Sequence, residues 1–424
     1  MTEKNSRGKI KVHYHSDCSF FAGCENMLAN FFNSEKFANE HDITFSYRYS
    51  AKYQIGFKQR VWSKVKSFHL EFPDLSDFPR LTAVLPARME RLLSAFFRLL
   101  LTGPVLIFEV YFLYRLLKKL RPDILHINNG GYPGALSSRA AAIAGGLSGV
   151  PKVVMVVNNM AVGYQSVSRC LDYPLDRLVG WSVDVFVTGS EAAAVQLGTS
   201  LNFIRSRVKA IHNGIAMRAG TKNVQITRER LGLADFDGVV FGVVSMLEPR
   251  KGHKVLFDAL RKLVSERRLS KSRLKILIEG DGPLIGELVD FISRNNLDEW
   301  VKFVGHEENI VDFMSALDVL ILPSVRDEDF PNVVLEAMAL GKPVIASRLA
   351  GTPEQVGDGV TGILVQPRNV EQLSDAVIYL ANNKGVVSSL GQAGLDRFNR
   401  YFTSDKALEN YRKMYSKLFE KQND

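Results

Sequence analysis

VLILPSVRDEDFPNVVLEAMALGKPVIAS, running from Val319 to Ser347, is the stretch on which the fold turns. Four aliphatic residues, Val319 to Leu322, read as a buried strand that Pro323 closes. A polar loop carrying Glu328 follows, and Pro331 suits the first turn of a helix whose apolar residues run from Val333 to Leu340. Gly341 ends that helix, and Pro343 to Ala346 form a second apolar strand. Two strands apolar throughout and joined through a helix fit a parallel pair covered on both faces.

The same alternation extends outward in both directions. Val239 to Val244, Leu274 to Ile278 and Val301 to Val304 read as strands, with helices at Lys254 to Val264 and Ile310 to Leu317. In the first half Lys9 to His15, Asp123 to Ile127, Lys152 to Val157, Val183 to Thr188 and Val208 to Ile211 repeat the pattern. Between them lie helices at Glu25 to Phe32, Gly134 to Ala144 and, capped by Ser190, onward to Leu197. The polar run from Ala216 to Thr227 separates the halves. The fold class is therefore α/β, two Rossmann-like doubly wound domains, with a ligand expected at strand carboxyl ends in the cleft between them. The expected boundaries are 1–215 for the first domain, 216–395 for the second and 396–424 for a helix packing back on the first.

A chain of 424 residues, 46% hydrophobic, is long enough for two such cores. The polar first ten residues carry no secretory pattern, so a cytoplasmic protein is expected. Cys18, Cys24 and Cys170 are too few and too irregularly spaced for a disulfide framework or a zinc site, and no metal is expected. The net charge of +9 is concentrated between Lys52 and Arg121, where thirteen basic residues face five acidic ones beside an apolar run from Phe96 to Leu113. Arg98, Glu109 and Arg115 interrupt that run as a spanning segment, and Gly103-Pro104 is expected to break it. A peripheral patch on an anionic inner membrane face and an ordinary core helix with a solvated basic face both remain open. No nucleic-acid-binding motif accompanies the charge, so no nucleic acid partner is expected.

Glu328 and Glu336, with seven residues between them, could be no more than a solvated helix face. Their surroundings argue otherwise. A helix start at Pro331 presents the N–H groups of Asn332, Val333 and Val334 and the positive dipole end to an anion, and Glu336 lies one turn inside, where a carboxylate suits a ribose diol. This stretch closely resembles the donor-site motif of the retaining glycosyltransferases of family 4, written E-x7-E. The resemblance implies the GT-B fold and transfer of a hexose-type sugar from a UDP- or GDP-sugar to a glycan or lipid-linked acceptor, as in cell-surface polysaccharide or lipopolysaccharide synthesis. It implies that Glu328 contacts the sugar, Glu336 the ribose, and the helix start with Phe330 the diphosphate. Lys251, in Glu248-Pro249-Arg250-Lys251-Gly252-His253, matches the family lysine on the diphosphate, and its charge would serve in place of a metal or other cofactor.

The likeness continues through Gly280 and Gly282, whose turn would approach the nucleotide, and through His306 beside the base. In the first domain Gly23 and Glu25 match a glycine pair followed by glutamate, and His126 stands at a strand end where relatives carry acceptor-side histidines, a candidate catalytic group. Departures are Asp329 where Gly is usual, Ser245 and Met246 where an arginine is common (Arg250 is its expected substitute), Ala22 for Gly, Asn158 for His and Ala216 for an acid. They keep two alternatives open, a sugar-nucleotide epimerase of the same architecture and an inactive binding homologue. A dinucleotide oxidoreductase fails for want of G-x-G-x-x-G after the first strand.

Overall fold

The computed structural model describes residues 9–21, 23–73, 87–217, 220, 223–270, 273–307 and 309–420, with backbone alone over 87–99. Ala22, Arg80 and the side chains of Arg88, Arg91, Phe96, Phe97, Arg98 and Leu99 lie outside the described residues. The chain divides into two compact units, residues 1–211 with 413–424, and residues 212–412.

The first unit holds a seven-stranded sheet: β1 (Ile10–Ser16), β2 (His41–Arg48), β3 (Lys66–Leu70), β4 (Ile124–Asn129), β5 (Lys152–Val157), β6 (Val185–Thr188) and β7 (Val208–Ala210). All pairings are parallel and the order is β3-β2-β1-β4-β5-β6-β7. The order reverses between β1 and β4. Val153 to Val157 is buried without interruption because helices cover both faces of the sheet. The helix Ala51–Arg60 and strand β3 fall in residues 52–80, a segment to which the sequence assigns no element. Polar residues Asp42, Thr44 and Ser46 break the apolar signal of β2, and β3 is a half-exposed edge.

One correction concerns the apolar run. Gly103-Pro104 does not break it, since a single helix spans Ala87–Leu120 with Pro104 inside. Proline keeps a helical φ and forfeits one backbone hydrogen bond. The following turns are held by burying Leu113 and Leu117 against the helix Leu136–Ser148, which outweighs that loss.

The second unit holds six parallel strands: β8 (Val239–Val244), β9 (Leu274–Glu279), β10 (Val301–Gly305), β11 (Val319–Leu322), β12 (Val344–Ser347) and β13 (Gly362–Val365). Their order, β10-β9-β8-β11-β12-β13, reverses between β8 and β11. Crossing loops after neighbouring strands at such a reversal diverge and leave room for a ligand. The turn from Gly359 leads into the edge strand β13. The helix Ser404–Phe419 ends the described chain, and its Tyr415 is buried in the first unit beside Tyr14 and His126.

Candidate active site

The loops after β8 and β11 meet at the reversal of the second sheet. After β8 the backbone makes a short 3-10 turn, Pro249–Lys251, closed by Gly252 at φ 73°. A Cβ on Gly252 would stand 2.0 Å from the Pro323 carbonyl oxygen, so only glycine lets this turn lie against the end of β11. Val325 N–H donates to Arg250 O at 2.8 Å and stitches the two loops together. Lys251 is thereby delivered onto Glu328.

Three groups converge on one oxygen of Glu328. Lys251 Nζ donates to Oε1, Ser324 Oγ donates to it at 2.9 Å, and Arg250 Nη1 stands 3.5 Å away while also donating to Asp327 O at 3.1 Å. Arg250 Nη2 pairs with Glu248 at 2.7 Å. The Glu328 side chain is 8% exposed and that of Lys251 13%, so the pair is substantially shielded from water and its field is little screened.

Just beyond, Pro331 occupies the N-cap of the helix Asn332–Ala339 rather than its first turn. Its carbonyl accepts from Val334 N–H at 3.2 Å, so that amide, expected to be free for a ligand, is already engaged. Val333, half-buried, carries an N–H with no intrahelical acceptor, and Glu336 is half-buried on the second turn. Phe330 departs from expectation more sharply. Its ring is 4% exposed, stacked on His212 at 4.9 Å and packed near Phe402, so the side chain is core and only its backbone can serve a ligand. His212 is fixed in turn by Glu354 at 2.9 Å. Asp329 is also buried, with its carbonyl accepting from Gly351 N–H at 3.0 Å.

The glycine loop after β9 is also a packing element. A Cβ on Gly280, at φ 130°, would meet Ser245 O at 2.0 Å, and one on Gly282 would meet Leu247 O at 2.6 Å. Both glycines are needed for two loops of this unit to lie side by side. His306 is exposed and its Nδ1 lies 3.2 Å from Glu279 Oε1; burial raises the pKa of Glu279. Ser245, marked in the sequence only as a departure, and His253 are hydrogen-bonded at 3.1 Å on either side of the Lys251 turn. Burial first, and the Lys251 charge second, lower the His253 pKa to about 4.

His126 leaves the catalytic set. It is 1% exposed, packed by Tyr14 and Phe31, and its Nδ1 meets the Tyr415 hydroxyl at 2.6 Å. Burial lowers its pKa to about 3, which makes it a neutral core residue with no surface for a substrate. Gly23 lies in the 3-10 turn Gly23–Glu25 of the first unit. Asn158, on the same edge, donates to Asn128 at 2.8 Å.

With this geometry in hand, comparison with known proteins is informative. The family described as Glycosyl transferases group 1 matches residues 238–383, and that described as Glycosyltransferase Family 4 matches residues 64–218. The chain belongs to the group 1, family 4 glycosyltransferases. An uncharacterised glycosyltransferase of Methanocaldococcus jannaschii is 30% identical over 217 residues, 51% of this chain and 55% of that protein. The 2-deoxystreptamine glucosyltransferase of Streptomyces kanamyceticus is 26% identical over 318 residues, 72% of this chain and 80% of that protein. With N-acetyl-alpha-D-glucosaminyl L-malate synthase of Bacillus anthracis the match covers 49% of this chain and 53% of that protein at 25% identity, so the chain spans about half the length of several relatives it matches.

Among solved structures, a Rickettsia africae glycosyltransferase aligns with a TM-score of 0.74 at 16% identity, over 99% of this chain and 100% of that one. Anabaena HepE in complex with UDP aligns with a TM-score of 0.72 at 18% identity, over 96% and 100%. These place the glycosyltransferase chain in the GT-B fold.

Proposed function

We propose that this family 4 glycosyltransferase is a retaining hexosyltransferase. It takes a sugar from a UDP- or GDP-sugar and passes it to a glycan or lipid-linked acceptor in cell-surface polysaccharide or lipopolysaccharide synthesis. The observation that carries the reading is the shielded meeting of Lys251, Arg250 and Ser324 on Oε1 of Glu328, beside the start of the helix Asn332–Ala339. Support for the donor class comes from HepE, solved with UDP and with UDP-glucose.

In this reading the diphosphate lies between Lys251, Arg250 and the Val333 N–H. Two cations in a site of reduced dielectric stabilise the negative charge that builds on the departing nucleotide. Glu328 holds Lys251 in place through Oε1 and offers Oε2 to a sugar hydroxyl, while Glu336 takes the ribose diol. The acceptor hydroxyl attacks on the face from which the nucleotide leaves. Its proton passes to a departing phosphate oxygen, so the configuration is retained without a protein nucleophile.

Lys251→Ala should lower turnover about a hundredfold or more, the scale of losing one electrostatic stabiliser, and a near-normal rate would remove the mechanism. Donor incubated without acceptor should give at most slow hydrolysis. An epimerised sugar nucleotide in that mixture would replace transfer with epimerisation.

The same reading puts the protein at the inner face of a membrane, working from the cytoplasm. The segment Leu100–Leu120 has a mean hydropathy of 1.6, long and apolar enough by length and composition to cross a bilayer, and 17% of its most apolar window is buried. Leu113 and Leu117 are nonetheless committed to the core, which favours a helix lying on the surface. Ile107, Phe108, Tyr111 and Phe112 are exposed near Arg115, Lys118 and Lys119, pairing an acyl-seeking face with a headgroup-seeking one. Flotation with anionic vesicles, abolished by reversing the three basic residues, is the expected result. Equal flotation of the reversed variant would overturn it.

A further inference from the structure

Three side chains of metal-ligand type, none used by the transfer reaction, meet near the carboxyl end of β1. Cys18 Sγ lies 3.8 Å from Cys24 Sγ, and Cys24 Sγ lies 2.7 Å from Glu25 Oε2. One ligand atom from each residue falls within 4.8 Å of the others. Glu25 is fully buried and the two cysteines are half-buried. The fold thus assembles what the irregular cysteine spacing argued against.

We propose that Cys18, Cys24 and Glu25 hold a thiophilic divalent cation of the zinc class, with solvent completing its coordination. Two thiolates at about 2.3 Å from a tetrahedral zinc ion stand about 3.8 Å apart, the separation found between these sulfurs. Two sulfurs and one carboxylate oxygen suit zinc and disfavour calcium or magnesium, which take oxygen ligands. Glu25 is held from behind. Its Oε1 accepts from Ser16 Oγ at 2.9 Å and from Asn128 Nδ2 at 3.3 Å, which leaves Oε2 directed to the sulfurs, as an outer shell orients a metal-binding carboxylate.

A cation pairs with the sulfurs directly, and binding both as thiolates releases two protons.

The test uses the full-length reduced chain, titrated first with Zn2+ and separately with Co2+. One equivalent should bind, cobalt should give thiolate charge-transfer absorption, and stoichiometric Zn2+ should raise the Tm. Cys18→Ser and Cys24→Ser should each weaken binding by more than about tenfold and abolish the absorption, while Cys170→Ser, an exposed cysteine outside the cluster, should change nothing. Circular dichroism of each variant establishes that it is folded. Absence of cobalt–thiolate absorption in the reduced wild type overturns the proposal, as does undiminished binding in both folded cysteine variants.

Discussion

The two sheets reverse their strand order at a central pair in the same way, yet they fill the carboxyl end of that pair with opposite chemistry. At β8 and β11 the loops end in ions, with Lys251 and Arg250 on Glu328. At β1 and β4 the strands carry groups that are largely neutral. His13 shares Ser46 with His15, and His15 reaches Ser137, which donates to Asp17 at 2.6 Å. Parallel register explains that network, since His13 stands opposite Thr44 and His15 opposite Ser46 on β2. Topology sets diverging loops at the reversal in both units. In the second those loops shelter Lys251 and Arg250 on Glu328, while beside the first pair Arg48 is spent on Asp17 at 2.6 Å.

The largest expected effect separating the two regions is acid sensitivity. Burial lowers the pKa of His13 to about 3, of His15 to about 4 and of His126 to about 3 from 6.5, against His253 alone at about 4 in the second unit. A depressed histidine binds fewer protons in the native state than in the unfolded chain. Stability is therefore full above about pH 6.5 and falls as pH drops toward the folded values, by up to about 1.4 kcal/mol per pH unit for each histidine. Hydrogen exchange between pH 6.5 and 5 should show β1, β2 and β4 losing protection before β8 and β11. Simultaneous loss would break the comparison.

Next in size is the change in turnover for Lys251→Ala, about 2.7 kcal/mol of transition-state stabilisation if the loss is a hundredfold. It should come with some loss of Tm as well, because the buried Glu328 carboxylate keeps only Ser324 and a more distant Arg250 as partners, so turnover is read on the folded variant. Gly252→Ala sharpens the point from the backbone side. The added Cβ meets a carbonyl oxygen and the φ is left-handed, so thermal or denaturant unfolding should report a loss of about 1–3 kcal/mol. Turnover should fall with it as Lys251 shifts off Glu328. An alanine variant with wild-type Tm and turnover would show that the loop contact does not position the lysine.

The smallest effect belongs to Tyr415→Phe, which deletes the hydroxyl on His126. About 1 kcal/mol of stability should be lost with turnover intact. A fall in turnover on the scale of Lys251→Ala would return the His126 region to the chemistry.

Much of this was legible in the chain itself. Continuous apolar runs such as Val153–Val157 and Val319–Leu322 announce strands buried on both faces, because little else buries four or five consecutive apolar residues between loops. The strands β2, β3 and β13 escaped for the converse reason. Polar residues of β2 are satisfied by histidines thirty-odd positions away, and β3 and β13 are short edges. Phe330 and His126 were assigned to ligands because sequence position says nothing of which way a ring is buried.

By itself the sequence determined the α/β class and the family and singled out Lys251 and Glu328 as candidates, since periodicity and local spacing are properties of the chain alone. Tertiary structure decided that Gly252 brings Lys251 onto Glu328, that Gly280 and Gly282 serve loop packing, and that Cys18, Cys24 and Glu25 form one cluster. Distances under 4 Å between side chains depend on how the backbone crosses itself, and loop sequence places only weak constraints on that crossing.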